Sequence, residues 1–320
     1  MKRSLPILAA LCALFVLITA SPSVIRSASQ GLRLCGELLV PALFPFLVLS
    51  LLLAKLGFSQ TLGRRLSPVT RQLFGVSGTG VTAFFIGLSG GYPLGAAYLA
   101  ELTEQGLISP REAERLLGFC NNSGPSFLVG AIGAGVFGSV RAGLLLYISH
   151  ALAAVLTGLL LRGAGAPAER EDLPSPDDPP SFALALTEAV RGAVPAILSI
   201  CAFVILFTVF TGLLDANGFL AVLGSGLSAL SGLSLPQSRA LLLGFWELGG
   251  GAGALRGLAL NPGNLALAAG LVGWGGVSVH MQSLAPFSSL PVRCRLHLPA
   301  RLLSAALGAG LTYLLALLFL

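Results

Sequence analysis

The chain has 320 residues, of which 55% are hydrophobic and 10% are charged, and its formal net charge is +6. A soluble domain usually carries about a quarter charged residues, so this composition predicts an integral, polytopic, all-α membrane protein. The 19 basic residues are scattered rather than grouped with aromatic residues, which argues against a nucleic-acid partner. The five cysteines show neither CxxC nor metal-ligand spacing, so we predict no metal site and no bound cofactor.

The N-terminal region begins with Lys2 and Arg3 and continues as an apolar run over residues 5–20. Small residues at 18–21 are compatible with a cleaved signal peptide. A retained first span is the favoured interpretation, because a polytopic protein needs no removable leader. In both cases the N-terminus starts on the cytoplasmic side, and we predict a span and a loop over residues 1–35.

Two similar halves are predicted to follow. The first transporter repeat covers residues 36–161 and the second covers 182–320, with a proline-rich, charged cytoplasmic linker at 162–181 between them. In the first half we predict spans at 36–56 and 142–161, a basic loop with Arg64, Arg65 and Arg71, and broken segments at 73–100 and 113–137. In the second half we predict spans at 189–214 and 299–320, an amphipathic stretch at 219–233, and broken segments at 241–258 and 265–287.

Four short runs interrupt the apolar segments, two in each half. They are Gly-Leu-Ser-Gly-Gly-Tyr-Pro at 87–93, Asn-Asn-Ser-Gly-Pro at 121–125, Glu-Leu-Gly-Gly-Gly-Ala-Gly at 247–253 and Gly-Trp-Gly-Gly-Val-Ser-Val-His-Met-Gln at 273–282. Proline lacks an N–H and glycine holds a helix poorly, so each run is predicted to open the backbone. In a bilayer, open backbone is tolerated only inside protein or beside a water-filled cavity. Paired interruptions are typical of carriers with a midplane site.

Outside these runs, Ser109 and Pro110 predict a helix start, as cap and first helical residue.

The distribution of basic residues favours re-entrant hairpins at 73–100 and 241–258. With hairpins, 14 basic residues lie on the cytoplasmic side, Arg115 and Arg301 among them, and five lie outside; if both segments cross, the split is 11 to 8. Cytoplasmic loops carry the excess of Lys and Arg, so we predict about seven spans and two hairpins. Each half then has three spans and one hairpin, and this odd number of spans predicts an inverted repeat.

The open backbone and polar side chains at the breaks predict a substrate site. Half-helix N-termini favour anions, and amide and hydroxyl side chains add donors and acceptors. The predicted substrate-binding residues are Ser89, Gly90, Gly91, Tyr92, Asn121, Asn122, Ser123, Gly250, Gly251, Ser278, His280 and Gln282. The alternative is that the small residues only allow close helix packing.

Glu247 is the sharpest single candidate, because a carboxylate in an apolar segment is costly unless it is protonated or paired. We predict that it couples transport to H⁺ or Na⁺; the alternative is a structural hydrogen bond to Trp246 or to exposed N–H groups. His280 is expected to be the only histidine at membrane depth, with His150 and His297 nearer segment ends. It either titrates near physiological pH, donates to an anion, or simply packs.

One short run also matches a motif of serine proteases. The run at 87–90 matches the GxSG of intramembrane serine proteases, with His280 as the partner base. Four matching residues are a weak signal, and Pro93 suits a hairpin better than a nucleophile on an intact helix. We therefore expect a protein that is not an enzyme.

Several of these residues resemble the sporulation integral membrane protein family YlbJ, also called SpoVV, of the nucleoside-recognition or Gate-domain proteins. The likeness lies in Gly-Gly-Tyr-Pro-Leu-Gly at 90–95, residues 114–127 with the Asn-Asn-Ser-Gly-Pro run, Glu247 in its glycine-rich turn, and residues 275–282. It covers about residues 30–320. The layout also looks like the core of concentrative nucleoside transporters.

The resemblance implies transport of dipicolinic acid, a rigid planar dianion, across the outer forespore membrane of endospore-forming bacteria by an elevator or rocking movement. Opposed helix N-termini and neutral amides would hold its carboxylates without a buried arginine, and its ring would rest on Tyr92, Phe127 or Trp274. Nucleoside transporters carry polar and acidic residues in the first hairpin, where this chain has Gly-Gly-Tyr-Pro. The alternatives are a carrier of nucleosides or other small molecules, and a non-transporting membrane scaffold for spore morphogenesis. The related carriers also imply a homotrimer in the lipid bilayer.

Overall fold

The computed structural model describes residues 4–163 and 180–320, and this part of the chain is helical without strands. Its first half contains α1 Ser4–Thr19, α2 Ser21–Leu34, α3 Val40–Lys55, α4 Phe58–Phe74, α5 Gly78–Gly90, α6 Leu94–Glu104, α7 Pro110–Cys120 and α8 Val140–Leu160, with π-helical segments π1 Cys35–Leu39 and π2 Ser126–Val136. Its second half contains α9 Phe182–Ala216, α10 Phe219–Ser231, α11 Leu235–Trp246, α12 Leu248–Gly253, α13 Pro262–Trp274, α14 Gly276–Leu284 and α15 His297–Phe319. Most of the linker predicted at 162–181 lies outside the described residues.

Three helices are long and apolar enough to cross a bilayer individually: α8, α9 and α15. A spanning helix needs about 20 mostly apolar residues. Three further candidates are helix pairs, α1 with α2, α4 with α5 and α10 with α11, whose members meet at bends of 97°, 93° and 116°. The all-helical membrane architecture is therefore confirmed, whereas the number of spans, the domain boundaries and the inverted relation of the halves stay predictions.

Both predicted breaks of the first half are present. α5 ends at Gly90 and α6 begins at Leu94, and the two helices contact each other across the turn. After α7 ends at Cys120, residues 121–124 have no regular structure before π2 begins. The start of α7 is also as predicted, because the Ser109 hydroxyl accepts the backbone N–H of residue 112 at 3.3 Å.

The second half is interrupted at the two matching places. Between α11 and α12 the break is confined to Glu247, whose backbone is extended. Residues 249–253, predicted to be open, are instead mostly helical, because the Glu247 side chain caps α12 and satisfies its first free N–H groups. Between α13 and α14 the helix is broken by Gly275, which has a φ of +89°.

The basic loop predicted around Arg64 is in fact helix α4. Arg64 and Arg65 are exposed, while Gly63 and Thr70 lie on the buried face. The helix is amphipathic, and the sequence signal that predicts it is the 3.6-residue spacing of its small and apolar positions. Left-handed glycines flank both α4 and α10, at positions 57, 75, 218 and 232, so each hairpin is preceded by a comparable short helix.

The loop predicted before residue 35 is also helical. α2 runs through π1 into α3, and it packs along α9. Small residues make this close approach possible: a Cβ on Gly31 would lie 3.0 Å from the Cα of Ile205. Polar residues lower the mean hydropathy of α2, which is why the sequence suggested a loop.

The four breaks meet in one apolar core. Tyr92, Phe127, Leu248 and Val279, each from the neighbourhood of a different break, belong to the same cluster of buried side chains. Around this cluster α9 packs on α2 and α3, while α15 packs on α13 and α8. The fold therefore brings together four short stretches that are far apart in sequence.

Candidate functional site

The breaks surround a cavity of about 50 Å³, here called the central cavity, which is partly open to the exterior. Each break contributes to its wall through Gly91, Tyr92, Ser123, Gly124, Glu247, Leu248, Gly249, Val279 and Gln282. The remaining wall is apolar and consists of Leu39, Leu43, Phe127, Ile200 and Val204. An apolar body with a few convergent polar groups is the usual make-up of a small-molecule site.

Glycines allow the first hairpin to touch the second break through backbone atoms. Gly91 has a φ of +83°, and a Cβ on it would lie 3.0 Å from the backbone nitrogen of Gly124. On the two limbs of the hairpin, Gly87 and Gly95 lie against the carbonyl oxygen of Cys120, where a Cβ would clash. Only glycine offers both this conformation and this approach.

Replacing Gly91 with alanine is expected to destabilise the fold by about 1–3 kcal/mol or more, because its φ of +83° and ψ of −175° lie in a region almost reserved for glycine. Gly138→Ala is the matched control, since Gly138 has a φ of +65° but a Cβ there meets no atom within 4 Å. Thermal unfolding of both variants in detergent measures the difference. Equal losses of stability would contradict a specific contact at the hairpin tip.

Glu247 is 5% exposed and forms part of the cavity wall. Its Oε1 accepts the N–H of Gly249 at 2.8 Å, and its Oε2 accepts the N–H of Gly250. The structural hydrogen bond to free N–H groups, one of the two interpretations of this residue, is therefore present. Each carboxylate oxygen keeps a further acceptor position, so the cap leaves room for a proton or a cation.

Arg301 is a functional candidate that sequence reasoning missed. The charge count placed it on the cytoplasmic side, but it is 1% exposed and lies between the breaks. Its guanidinium donates to the Asn121 carbonyl at 2.8 Å, to the Gly273 carbonyl and to the Tyr92 hydroxyl. The Tyr92 hydroxyl in turn donates to the Val272 carbonyl at 2.9 Å. The expectation that the carboxylates of a substrate are held without a buried arginine stays a prediction.

The chemistry of broken helices explains this arginine. A helix end leaves carbonyl groups without intrahelical partners, and the planar guanidinium offers five donors in a fixed fork. One side chain thus satisfies acceptors from two breaks and holds a tyrosine from a third. Arg301 is not among the cavity-lining residues described, so it supports the wall from behind.

Arg115 was also assigned to the cytoplasmic side and is also buried, at 3% exposure. It donates to the carbonyl of Gly75, just past the end of α4, at 2.7 Å. Its cation therefore stabilises a helix C-terminus. Without Arg115 and Arg301, the predicted charge bias keeps its direction.

Of the predicted site residues, those that line the central cavity are Gly91, Tyr92, Ser123, Glu247 and Gln282. The two asparagines support the second break instead: Asn121 Nδ2 donates to the Ser283 hydroxyl, and Asn122 Nδ2 donates to the Phe119 carbonyl at 2.7 Å. Each asparagine leaves its side-chain oxygen without a described partner.

The first hairpin uses Ser89 and Gly90 for packing against α3. The Ser89 hydroxyl lies 3.1 Å from the hydroxyl of Ser50 and donates to the Ile86 carbonyl at 3.2 Å. A Cβ on Gly90 would also meet Ser50. His280 is not among these partners, so the geometry gives Ser89 no histidine base of the kind that a serine protease needs.

The second hairpin engages its glycines in α12. The N–H of Gly250 is bound by the Glu247 carboxylate, and that of Gly251 donates to the Glu247 carbonyl at 3.1 Å. In the last broken segment, Gln282 donates to the Ser278 hydroxyl at 3.1 Å. This contact confirms the predicted shared helix face of these two side chains.

All three histidines lie in the interior of the fold, so burial does not distinguish His280, and the expectation that it alone reaches membrane depth stays a prediction. His280 Nδ1 lies 3.0 Å from His297 Nε2, and His150 Nε2 accepts the N–H of Ser123 at 3.0 Å. All three are buried. Hydropathy located His150 and His297 near segment ends, but α8 and α15 pack against the breaks, which brings these residues inward.

Of the three aromatic residues expected to support a ring-shaped substrate, Tyr92 and Phe127 line the central cavity. Trp274 lies elsewhere: it stacks on Phe245 with ring centroids 5.5 Å apart and donates to the Phe245 carbonyl at 3.1 Å. The apolar wall from π1, α3 and α9 was not predicted. Its residues, such as Ile200 and Val204, are ordinary apolar positions of long helices, and the sequence does not distinguish them from lipid-facing ones.

A second, more polar cavity, here called the vestibule, also borders Glu247 and has a volume of about 180 Å³. Its wall contains Gln30, Thr208, Thr211, Gly212, Asp215, Arg239, Leu243, Glu247 and Gly250. Asp215 and Arg239 form a two-point ion pair with both N–O distances at 2.8 Å. Glu247 therefore borders both cavities.

No family model matches the chain. A solved structure of a double variant of CNTnw, a concentrative nucleoside transporter homologue, in an outward-facing state aligns with a TM-score of 0.54 and 17% identity, covering 95% of this chain and 86% of that one. Among curated proteins, the sporulation integral membrane protein YlbJ of Bacillus subtilis strain 168 is 30% identical over 313 residues, which is 91% of this chain and 77% of the relative.

The helices, the paired breaks and the structural neighbour define a polytopic α-helical membrane protein with the fold of a concentrative nucleoside transporter. At this level of identity the neighbour establishes the fold alone. The sequence match is stronger, and the chain belongs to the family of the sporulation integral membrane protein YlbJ.

Proposed function

We propose that this protein is a membrane carrier of a small organic anion and that its substrate is dipicolinic acid. The observation that supports this most is the central cavity, where α6 and π2 begin beside the wall residues of all four breaks. Helix N-termini carry about half a positive charge and favour carboxylates. Ser123 and Gln282 supply polar donors, while Tyr92 and Phe127 offer apolar rings to a planar aromatic body.

We propose that a cation binds to Glu247 together with the anionic substrate. Its carboxylate lies in the same wall, and two unit charges about 5 Å apart repel by about 3 kcal/mol at an effective dielectric constant of 20. An anionic substrate therefore binds best after H⁺ or Na⁺ has neutralised Glu247. Cation binding would thus promote substrate binding and couple the two movements.

The membership in the YlbJ family supports a proposed location in a membrane of the sporulating cell. We place the protein in the outer forespore membrane with its N-terminus in the cytoplasm, and we expect it to work as a carrier rather than an enzyme. A homotrimer is proposed from the transporter fold. The cavity residues named in the sequence prediction, led by Gly91, Tyr92, Ser123 and Gln282, are proposed to contact substrate.

Transport by purified protein in liposomes tests the function. Labelled dipicolinate is expected to accumulate under an inward H⁺ or Na⁺ gradient, and protein-free liposomes give the background. Unlabelled uridine is added as a competitor. A strong preference for uridine would indicate a nucleoside carrier, while neither binding nor uptake of any solute would indicate a scaffold.

A further inference from the structure

The vestibule leads from Glu247 to the Asp215–Arg239 ion pair. We propose that it is the path by which the coupling cation reaches Glu247, separate from the substrate cavity, and that the charges of Asp215 and Arg239 set its affinity for cations. This inference rests on the proposed role of Glu247 in coupling. The ligand class is a monovalent cation, either H⁺ or Na⁺.

The Glu247 carboxylate borders both cavities. Oε1 is bound by Gly249, which lines the central cavity, and Oε2 is bound by Gly250, which lines the vestibule. Each oxygen is thus bound by a glycine from the wall of a different cavity. A cation arriving through the vestibule meets the carboxylate without passing the bound substrate.

The vestibule has a more polar wall than the central cavity, as expected if the vestibule admits a cation and the central cavity binds the substrate. Gln30, Thr208 and Thr211 line the vestibule with an amide and two hydroxyls, whereas aliphatic and aromatic side chains dominate the central cavity. Hard monovalent and divalent cations prefer oxygen ligands. A hydrated cation is therefore better accommodated in the vestibule, and an aromatic anion in the central cavity.

The charges that face Glu247 are few. Asp215 on α9 and Arg239 on α11 lie in the vestibule wall, and the thiol of Cys35 on π1 is a further titratable group within electrostatic range. The paired Asp215 and Arg239 nearly cancel each other. Removing the carboxylate leaves a cation that repels cations, while removing the guanidinium leaves an anion that attracts them.

A purely mechanical role makes a different prediction. The pair also ties α9, which packs mainly on α2 and α3, to α11, which packs on α10, α12 and α13. This link between α9 and α11 is lost whether Asp215 or Arg239 is removed. If the pair only links the helices, Asp215→Asn and Arg239→Gln shift the cation affinity in the same direction. If its charges control a cation path, the two variants shift the affinity in opposite directions.

The chain offers a matched control on the same helix. Glu188 near the start of α9 pairs with Lys55 on α3 at 3.5 Å, with side-chain exposures of 42% and 44%. The exposures of Asp215 and Arg239 are 40% and 48%. The Lys55–Glu188 pair is thus similar in chemistry and exposure, but it is not part of the vestibule wall.

The first experiment measures the Na⁺ and H⁺ concentrations that give half-maximal dipicolinate uptake in proteoliposomes. Asp215→Asn is expected to raise the half-maximal concentration of the coupling cation on the order of threefold, and Arg239→Gln to lower it by a similar factor. Glu188→Gln is expected to leave this concentration close to the wild-type value. Shifts of both variants in the same direction, or no shift in either, would overturn the inference. Absence of uptake by the wild-type protein would instead refute the proposed function.

The second experiment does not require transport. Gln30 is exposed and lines the vestibule, so the Gln30→Cys variant is treated with a cationic and an anionic methanethiosulfonate reagent, and the rates of the chain without this cysteine are subtracted. Adding Asp215→Asn is expected to lower the cationic-to-anionic rate ratio, and adding Arg239→Gln to raise it. An unchanged ratio in both would contradict control of cation entry by this pair.

Discussion

Replacing Arg301 with glutamine is expected to lower the free energy of unfolding by about 3–5 kcal/mol, because hydrogen bonds to a charged group contribute about 1.5–3 kcal/mol each. The guanidinium bonds the carbonyls of Asn121 and Gly273 and the hydroxyl of Tyr92. Glutamine is shorter and has a single NH₂ group, so it cannot reach all three. At least one acceptor would then be buried without a donor, which costs about 1–3 kcal/mol, and any hydrogen bond that remains is weaker because its donor is neutral.

Thermal unfolding in detergent measures this loss, and two further variants sharpen it. Arg301→Lys keeps the charge but lacks the fork, so it is expected to recover only part of the stability. Arg293→Gln removes an exposed arginine from the preceding loop and is expected to change stability by less than about 0.5 kcal/mol. Similar melting temperatures for Arg301→Gln and Arg293→Gln would show that Arg301 does not hold the breaks together.

Replacing Glu247 with glutamine is expected to reduce cation-driven uptake of dipicolinate at least tenfold and to remove its dependence on H⁺ and Na⁺. The amide has nearly the same shape as the carboxylate, but it neither titrates nor balances the charge of a bound cation. Electroneutral exchange of substrate across the membrane should persist, because the central cavity remains. The measurement is initial uptake across a matrix of pH values and Na⁺ concentrations.

Stability must be followed beside activity, because Glu247 also caps α12. Weakening this cap is expected to cost about 1 kcal/mol, too little to unfold a protein of ordinary stability. Glu37→Gln is the matched control, since Glu37 is an exposed carboxylate on π1. Cation dependence that is the same for Glu247→Gln and wild type at every pH would exclude the coupling role.

The breaks were predictable because their causes are local. Glycine and proline act on the backbone at their own positions, and the Asn121 and Gly275 breaks lie within the predicted runs. The same local reasoning failed at residues 249–253, where glycines alone favour an open chain. The cap from Glu247 supplies two hydrogen bonds to α12, and this is a contact that glycine propensity does not include.

Arg301 and the apolar wall of the cavity were not predictable in the same way. Arg301 lies near the start of the apolar helix α15, just after a polar loop, a context in which most arginines lie at a membrane surface. Its partners Asn121 and Gly273 are 180 and 28 residues away. No periodic pattern indicates that α7, α13 and α15 converge at this point. Pairing information between distant positions would be needed to find it.

The geometry of α9 has a consequence for the lipid environment. Its two ion-paired residues, Glu188 and Asp215, are 27 positions apart, or about 40 Å along a helix axis. This length matches a bilayer measured from headgroup to headgroup, about 40–45 Å. We therefore expect α9 to place both ion pairs at the level of the headgroups and to tilt in a bilayer with shorter acyl chains.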